Sequence, residues 1–208
     1  MSETCKRLVL TGIGGQGVIL MSKIMACAAF EDGLILNTLE TLGGMQRGGP
    51  VYVQVRVGPP EEGAAVPYGT ADAVIALEGY EGLRVASKFL RPDGIVYQNA
   101  RLVQVAGHFR TKRKPIGLAR LPELYAQMNA RLVMVPAAEL ATKAGNARLE
   151  NLVLFGAVVR ADLLGIKAET AHSVIARSVP RGTEEKNLEA FEAGYAWAGT
   201  LRASPVGV

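Results

Sequence analysis

The residues best suited to chemistry form a glycine-rich segment near the start of the sequence. Gly12, Gly14 and Gly17 have the spacing G-x-G-x-x-G, directly after residues 6–11, whose apolar centre predicts a buried strand. Glycine lets the chain turn sharply and approach a ligand, and the start of the following helix offers free N–H groups to an anion. The segment therefore predicts contact with a ligand or a partner; a tight turn without a ligand is the alternative. The candidate binding residues here are Gly12, Gly14, Gly15, Gln16 and Gly17.

A second candidate element combines an arginine with two glycines. Arg47 is followed by Gly48 and Gly49, and a guanidinium beside open backbone can hold a carboxylate or a phosphate through two parallel hydrogen bonds. The loop follows the second predicted strand, so we expect it at the carboxyl end of a parallel sheet, next to residues 12–17. These three residues join the candidate site; the alternative is an arginine that pairs with Glu40 or with solvent.

A bound nicotinamide dinucleotide is an alternative to an unspecified anion. In that class an acidic residue about 20 positions after the glycines holds the ribose, and Glu40 follows Gly17 by 23 positions. Gly15 and Gln16 add a pattern that a dinucleotide-binding turn does not need, so this is the weaker interpretation. A stand-alone NAD(P)-binding oxidoreductase of the Rossmann type remains the alternative from a different functional class.

Few side chains form a recognisable catalytic or metal-binding group. The histidines, His108 and His172, have no neighbouring nucleophile or metal-ligand spacing, and no G-x-S-x-G, H-E-x-x-H or Walker sequence occurs. The cysteines, Cys5 and Cys27, form no C-x-x-C pair. This excludes a disulfide scaffold, a structural zinc site and an iron–sulfur cluster held by this chain alone. We expect two buried, inert thiols and a chain that is not an enzyme by itself.

The positive charge is concentrated in one stretch of the chain. The net charge is +4, and no acidic residue occurs between Asp93 and Glu123, a stretch with six positive charges, so the rest of the chain has a net charge of −2. The segment 101–120 lacks the interleaved aromatic residues of a nucleic-acid site. A solvated loop or a contact with an acidic partner is therefore preferred, with nucleic-acid binding as the alternative. The six residues are Arg101, Arg110, Lys112, Arg113, Lys114 and Arg120.

The sequence predicts a cytoplasmic protein that does not enter a membrane. Free thiols suit a reducing compartment, and the first residues lack the long apolar region of a signal peptide. The longest apolar run, residues 152–159, is far shorter than the roughly 20 residues that cross a bilayer.

The elements that must position these residues alternate between strands and helices, which is typical of an α/β fold. We expect a single domain over residues 1–208 with a Rossmann-like, mostly parallel sheet, flanking helices and a helical C-terminal part. The first two strands are predicted to be buried and parallel, joined by a helix. Predicted strands cover 6–11, 34–39, 51–57, 71–77, 95–98, 102–105 and 131–135; predicted helices cover 18–30, 79–89, 137–144, 149–164, 168–178 and a segment capped by Thr183.

Two motifs together resemble a known family. The sequence GIGGQG at residues 12–17, followed by a helix, and the sequence QRGGP at residues 46–50, followed by an alternating strand, resemble the gamma domain of 2-oxoacid:acceptor (ferredoxin) oxidoreductases. Within that family, the loop around Met45 most resembles the small (beta) subunit of indolepyruvate:ferredoxin oxidoreductase. Leu42 stands where that subunit usually has a histidine, so a 2-oxoglutarate or pyruvate enzyme remains open. Further matches, at residues 71–75, 90–94, 151–156 and 187–194, extend the resemblance over nearly the whole chain.

The resemblance implies a division of labour between chains. Thiamine diphosphate, Mg²⁺ and [4Fe–4S] clusters would be held by larger partner subunits, where a 2-oxoacid, an aryl-pyruvate in the favoured case, is decarboxylated. Ferredoxin would take the electrons and coenzyme A the acyl group. This chain would be a non-catalytic subunit of a hetero-oligomer, inactive alone, with coenzyme A as a candidate shared ligand of residues 12–17 and 47–49.

Overall fold

The computed structural model describes residues 5–42, 48–59, 63–103 and 116–201. A six-stranded sheet of order β2-β3-β1-β4-β5-β6 forms its centre. Only β3 runs against the other strands of this sheet, so the predicted α/β fold with a mostly parallel sheet is confirmed. The strands are β1 (Lys6–Ile13), β2 (Leu36–Leu42), β3 (Pro50–Val57), β4 (Ala71–Ala76), β5 (Leu90–Asn99) and β6 (Arg131–Val135).

Seven helices of the described segments cover the sheet. They are α1 (Val18–Glu31), α2 (Gly79–Phe89), α3 (Leu121–Gln127, preceded by a 3₁₀ turn), α4 (Ala137–Lys143), α5 (Glu150–Arg160), α6 (Ala168–Ser178) and α7 (Glu184–Thr200). The larger apolar core lies on the sheet face that carries Leu8 and Leu10 of β1, together with α1 and α4 to α7. The smaller core lies on the opposite face, around Val9, with α2 and α3. β1 is therefore apolar on both faces because it is buried on both.

The second strand corrects the predicted arrangement. β2 is parallel to β1 as expected, but β3 lies between them and pairs antiparallel with both. β2 is thus an edge strand and not a buried one, with 42% of Leu39 exposed. The reason lies in β3, whose polar face is also covered: Gln54 accepts a hydrogen bond from the Val66 N–H at 2.7 Å, and the buried Arg56 donates to the Gly63 carbonyl at 3.1 Å.

The helical C-terminal part is confirmed, with two local differences. α5 ends at Arg160 and does not continue to residue 164. Thr183 is the residue before α7, but its hydroxyl donates to the Pro180 carbonyl (2.7 Å) and does not cap the helix. α5 is almost entirely buried because α7 lies against it at very short range, with glycines at positions 156 and 194 in the contact.

Other elements were missed or misjudged from the sequence. The sequence analysis assigned no element to residues 121–127, which form α3 with Leu121 and Tyr125 buried. The turn predicted at residues 91–94 is a bulge inside β5, where the pairing with β4 shifts. Residues 101–103 are not a strand, and the remainder of the predicted strand 102–105 lies outside the described residues. Cys5 is partly exposed and Cys27 is exposed, so the expected burial of both thiols is wrong.

None of the described helices has the length and apolar character that crossing a bilayer requires.

Candidate functional site

A cleft of about 440 Å³ opens at the carboxyl edge of the sheet. β1, β4 and β5 end at this edge, and the antiparallel β3 begins there. The loops that follow β1, β4 and β5 therefore meet the loop that precedes β3. The N-terminal ends of α1 and α5 border the same region. The cleft is lined by Ile13, Gly14, Gly15, Gln16, Gly48, Arg101, Val103, Ala147, Arg148 and Glu150.

The two glycine-rich loops predicted from the sequence lie against each other. The Gly14 N–H donates to the Gly49 carbonyl at 2.8 Å, and the Gly48 N–H donates to the Gly14 carbonyl at 3.4 Å. Gly15 and Gly48 have φ angles of 100° and 75°, which favour glycine, and no atom lies where their Cβ would stand. These two positions leave open backbone at the cleft.

Gly12 and Gly17 have a different role: neighbouring atoms lie so close to both that a side chain would not fit. A Cβ at Gly12, inside β1, would stand 2.8 Å from Gln16 Oε1 and 3.1 Å from Leu77 Cβ. At Gly17, with φ of 80°, a Cβ would stand 2.5 Å from the amide nitrogen of Asn151. That amide donates to the Gly17 carbonyl at 3.3 Å, which ties the start of α1 to α5.

Gln16 uses its side chain inside the protein. Its Oε1 accepts the Ile13 N–H at 2.8 Å, and its Nε2 donates to the Leu77 carbonyl at 3.4 Å. The amide therefore closes the glycine turn and connects it to the residue after β4. Gln16 lines the cleft, but both ends of its amide have partners within the chain.

Replacing Gln16 with alanine is expected to lower the free energy of unfolding by about 1–3 kcal/mol, since two backbone groups lose their partner. Urea denaturation of the purified chain measures this loss. Gln127→Ala is the matched control, because its amide is exposed and donates to the Glu123 carboxylate at 3.3 Å, so no backbone group loses a partner there among the described residues. Equal costs for the two substitutions would contradict a structural role for Gln16.

Positive charge enters the cleft from two arginines. Arg101 follows β5 and pairs with Glu150, whose side chain is 5% exposed. The other Glu150 oxygen accepts a hydrogen bond from Asn99 Nδ2 at 2.6 Å. Glu150 opens α5, where the helix dipole favours a carboxylate, and this holds the half-exposed Arg101 at the cleft. Arg148 is exposed and lines the same cleft.

Glu78, behind the cleft, is 1% exposed, and its side chain holds two separate segments of the chain. Its carboxyl oxygens accept the N–H groups of Glu81 and Val103, each at 2.9 Å, so it caps α2 and holds the segment beyond Arg101. Burial raises the pKa of this carboxyl, although the backbone N–H groups act in the opposite direction.

Because the folded-state pKa of Glu78 lies above its unfolded value, its contribution to stability is present below about pH 4.5 and is lost as pH rises through the folded-state pKa. We expect the difference in unfolding free energy between wild type and Glu78→Gln to shrink as pH rises from 4.5 to 8. Urea titrations across this range measure it. Glu139→Gln is the control, because the hydrogen bond from Lys143 lowers the pKa of Glu139. The difference in unfolding free energy between wild type and this variant should therefore change little from pH 4.5 to 8. A Glu78 difference that grows with pH would contradict the burial effect.

The layout required for a nicotinamide dinucleotide is not present. That layout needs the acidic residue on a strand next to β1, whereas Glu40 lies opposite Val53 on the edge strand, with β3 in between. Two strand spacings, about 10 Å, therefore separate its strand from β1. This arrangement argues against the stand-alone NAD(P)-binding alternative.

Of the sequence-predicted site residues, the structure brings Gly14, Gly15, Gln16 and Gly48 to the cleft, with Gly49 bonded beside them. Arg47 lies outside the described residues, as do His108 and four of the six residues of the basic segment, Arg110, Lys112, Arg113 and Lys114. Sequence reasoning missed Arg148 and Glu150 and gave Arg101 no role in the site. The position of Arg101 directly after a predicted strand was the available signal. In the part of the chain described, no group of three His, Cys, Asp or Glu side chains is placed to bind a metal ion.

Comparisons with known proteins agree with this architecture. The profile of the family described as "Pyruvate ferredoxin/flavodoxin oxidoreductase" matches residues 7–197. The chain is similar to the indolepyruvate oxidoreductase subunit IorB of Archaeoglobus fulgidus, with 35% identity over 205 residues, 96% of this chain and 98% of the relative. IorB of Pyrococcus horikoshii is 33% identical over 194 residues, 90% of this chain and 93% of the relative. A 2-oxoglutarate synthase subunit KorC, from Methanothermobacter thermautotrophicus, is 27% identical over 199 residues, 93% of this chain and 95% of the relative.

A solved structure has the same fold over nearly the whole chain. The gamma subunit of a keto/oxoacid ferredoxin oxidoreductase from Geobacter sulfurreducens superposes with a TM-score of 0.68 and 25% identity, covering 93% of this chain and 98% of that one. The predicted family resemblance, on the glycine segment and the QRGG loop, is thereby confirmed: the chain belongs to the pyruvate ferredoxin/flavodoxin oxidoreductase family.

Proposed function

We propose that this chain is the non-catalytic small subunit of a thiamine-diphosphate-dependent 2-oxoacid:ferredoxin oxidoreductase that acts on an aryl-pyruvate such as indolepyruvate. The observation that carries the proposal is the 33–35% identity to IorB subunits over at least 90% of both chains. KorC, the relative from 2-oxoglutarate synthase, is 27% identical over a similar length. The domain over residues 1–208 would act as one unit within a hetero-oligomer in the cytoplasm.

The number of cysteines bears on where the iron–sulfur clusters of such a complex are held. A [4Fe–4S] cluster takes about four thiolates, and this sequence has two cysteines. We therefore assign the clusters to the larger partner subunits. The assignment of thiamine diphosphate and its Mg²⁺ to the same subunits, and of the electrons to ferredoxin, rests on membership of the family. Thiamine diphosphate, when bound by the partner, supplies the chemistry that releases CO₂ from the 2-oxoacid. The isolated chain would then be inactive.

The contribution of this chain would be an anion-binding wall of the coenzyme A path. The cleft combines the exposed backbone of Gly15 with the guanidiniums of Arg101 and Arg148. Gly48 adds open space but no free donor, because its N–H bonds to the Gly14 carbonyl. Guanidiniums and exposed N–H groups are the donors that phosphates accept best. The residues present thus fit the phosphates of coenzyme A: Arg148 and the glycine loops would bind them, and Glu150 would orient Arg101. Arg47, next to Gly48 in sequence, is proposed to join them.

A substrate panel on the reconstituted complex tests the proposed substrate class. With ferredoxin and coenzyme A present, we expect kcat/KM for indolepyruvate to exceed that for 2-oxoglutarate and pyruvate at least tenfold. A preference for 2-oxoglutarate or pyruvate would overturn the aryl-pyruvate assignment and leave the subunit role standing. Omitting this chain should abolish coenzyme A-dependent ferredoxin reduction with every substrate.

A further inference from the structure

A second depression, a groove of about 690 Å³, lies away from the glycine loops. Its floor is the outer part of the sheet, with Tyr97 of β5 and Val133 of β6 side by side. Its wall is the C-terminal end of α7, where Trp197 is partly buried and Leu201 is 43% exposed. The groove therefore offers apolar contact area at one edge of the sheet.

The charge of this groove has a single sign. Arg131 and Arg160 are among its lining residues, and none of the lining residues is acidic. The Arg131 guanidinium donates to the Asp93 carbonyl at 3.2 Å, and the Arg160 guanidinium stands 5.3 Å from the Tyr195 ring. Within the described segments, neither forms an ion pair. Two cations beside an apolar floor are complementary to a carboxylate attached to an apolar chain.

The strand that borders this groove, β6, has one edge whose backbone groups face no other strand of the described sheet. β6 is the last strand of the sheet and pairs only with β5 among the described residues. An edge strand presents alternate N–H and C=O groups that an extended peptide can pair with. Five residues, Arg131–Val135, are sufficient for a short added strand.

We propose that an extended acidic segment of a partner subunit pairs with β6, places a carboxylate between Arg131 and Arg160, and packs an apolar side chain against Trp197. This rests on the proposed function, in which the chain works inside a hetero-oligomer. A second copy of this chain is a poorer occupant, because a two-fold contact would bring the arginines of both copies together. A nucleic acid is also a poorer occupant, because holding its backbone takes a more extended basic surface than the two guanidiniums of this groove.

Site-specific photo-crosslinking in the assembled complex tests the proposal. Leu201 is replaced by p-benzoylphenylalanine, the complex is purified and irradiated, and the crosslinked peptide is identified by mass spectrometry. We expect a peptide of the larger subunit that contains Asp or Glu next to apolar residues. The control position is Phe30, 82% exposed on α1, which packs beside β2 at the opposite edge of the sheet; it should not crosslink the same peptide.

Charge reversal supplies the second measurement. Arg131→Glu, alone and combined with Arg160→Glu, should reduce the crosslink yield at least tenfold. Arg181→Glu is the control, since Arg181 is exposed and precedes α7, whose 17 residues span about 25 Å before the groove at its C-terminal end. The single Arg131 variant keeps the test valid if the double variant fails to fold.

The possible results separate two failures. A crosslink only to residues 202–208 of this chain, a crosslink to a second copy, or no crosslink in an intact complex would overturn the groove proposal alone. If wild-type protein assembles with no larger subunit, the proposed function fails and the groove proposal falls with it. Unchanged crosslink yield in the charge-reversed variants would also overturn the proposed charge pairing.

Discussion

Replacing Gly156 with alanine is expected to lower the free energy of unfolding by about 3 kcal/mol or more, a large fraction of the roughly 5–15 kcal/mol that stabilises a typical domain. A Cβ at this position would stand 2.0 Å from the Phe191 carbonyl oxygen, which is backbone and cannot rotate away. α5 and α7 would have to separate, and the contact between Phe155 and Phe191 would be disturbed. The gain in helix propensity, about 1 kcal/mol, is too small to compensate.

Thermal and urea denaturation of the purified chain measure this effect. Gly199→Ala is the matched control, because Gly199 is also a helical glycine of α7 but its Cβ would meet only the movable side chain of Arg160, at 3.1 Å. We expect the control to change the unfolding free energy by no more than about 1 kcal/mol. If Gly156→Ala is as stable as Gly199→Ala, the result would contradict the backbone-to-backbone packing of α5 on α7 at Gly156.

Reversing the charge of Arg148 is expected to raise KM for coenzyme A tenfold or more in the assembled complex, while kcat changes little. A hydrogen bond to a charged group contributes about 1.5–3 kcal/mol, and each 1.4 kcal/mol is a factor of ten in affinity. Arg148 is chosen over Arg101 because it is exposed and Glu150 does not depend on it. Its replacement therefore removes a contact to the ligand without leaving a buried carboxylate unpaired.

Steady-state assays of Arg148→Glu, with coenzyme A and the 2-oxoacid varied separately, measure the effect. Arg181→Glu, which changes the net charge equally at a distant exposed position, should leave both KM values at the wild-type level. A change in KM for the 2-oxoacid alone would place the 2-oxoacid, and not coenzyme A, at this cleft. Unchanged constants for Arg148→Glu would remove the cleft from the ligand path.

Local patterns in the sequence were sufficient for most elements but not for their order in the sheet. The limits of α2, β6 and α6 are those that periodicity predicts, because each is fixed by its own apolar residues and end signals. The alternation of β3 suggested two different faces. It could not show that Gln54 and Arg56 are buried, since the groups they bond, among them Gly63, Val66 and Cys5, lie outside the strand. With that covering both faces of β3 are buried, which suits a strand inside the sheet.

The candidate site could be predicted only in part for the same reason. The glycine spacing located one wall of the cleft, yet the motif mixes two roles: Gly12 and Gly17 allow close packing, whereas Gly15 leaves backbone open. Arg101 and Glu150 are 49 residues apart in sequence, and no local spacing connects them. The fold brings them together because β5 ends where α5 begins.

The most direct test of the account is the identity of what assembles with this chain. Affinity purification of the tagged chain under anaerobic conditions, followed by mass spectrometry and a coenzyme A-dependent ferredoxin-reduction assay, makes that measurement. We predict a larger thiamine-diphosphate-binding subunit in a stable complex that oxidises indolepyruvate. A chain that purifies alone as a stable monomer, with no such subunit and no 2-oxoacid-dependent reduction of ferredoxin, would contradict the proposed function.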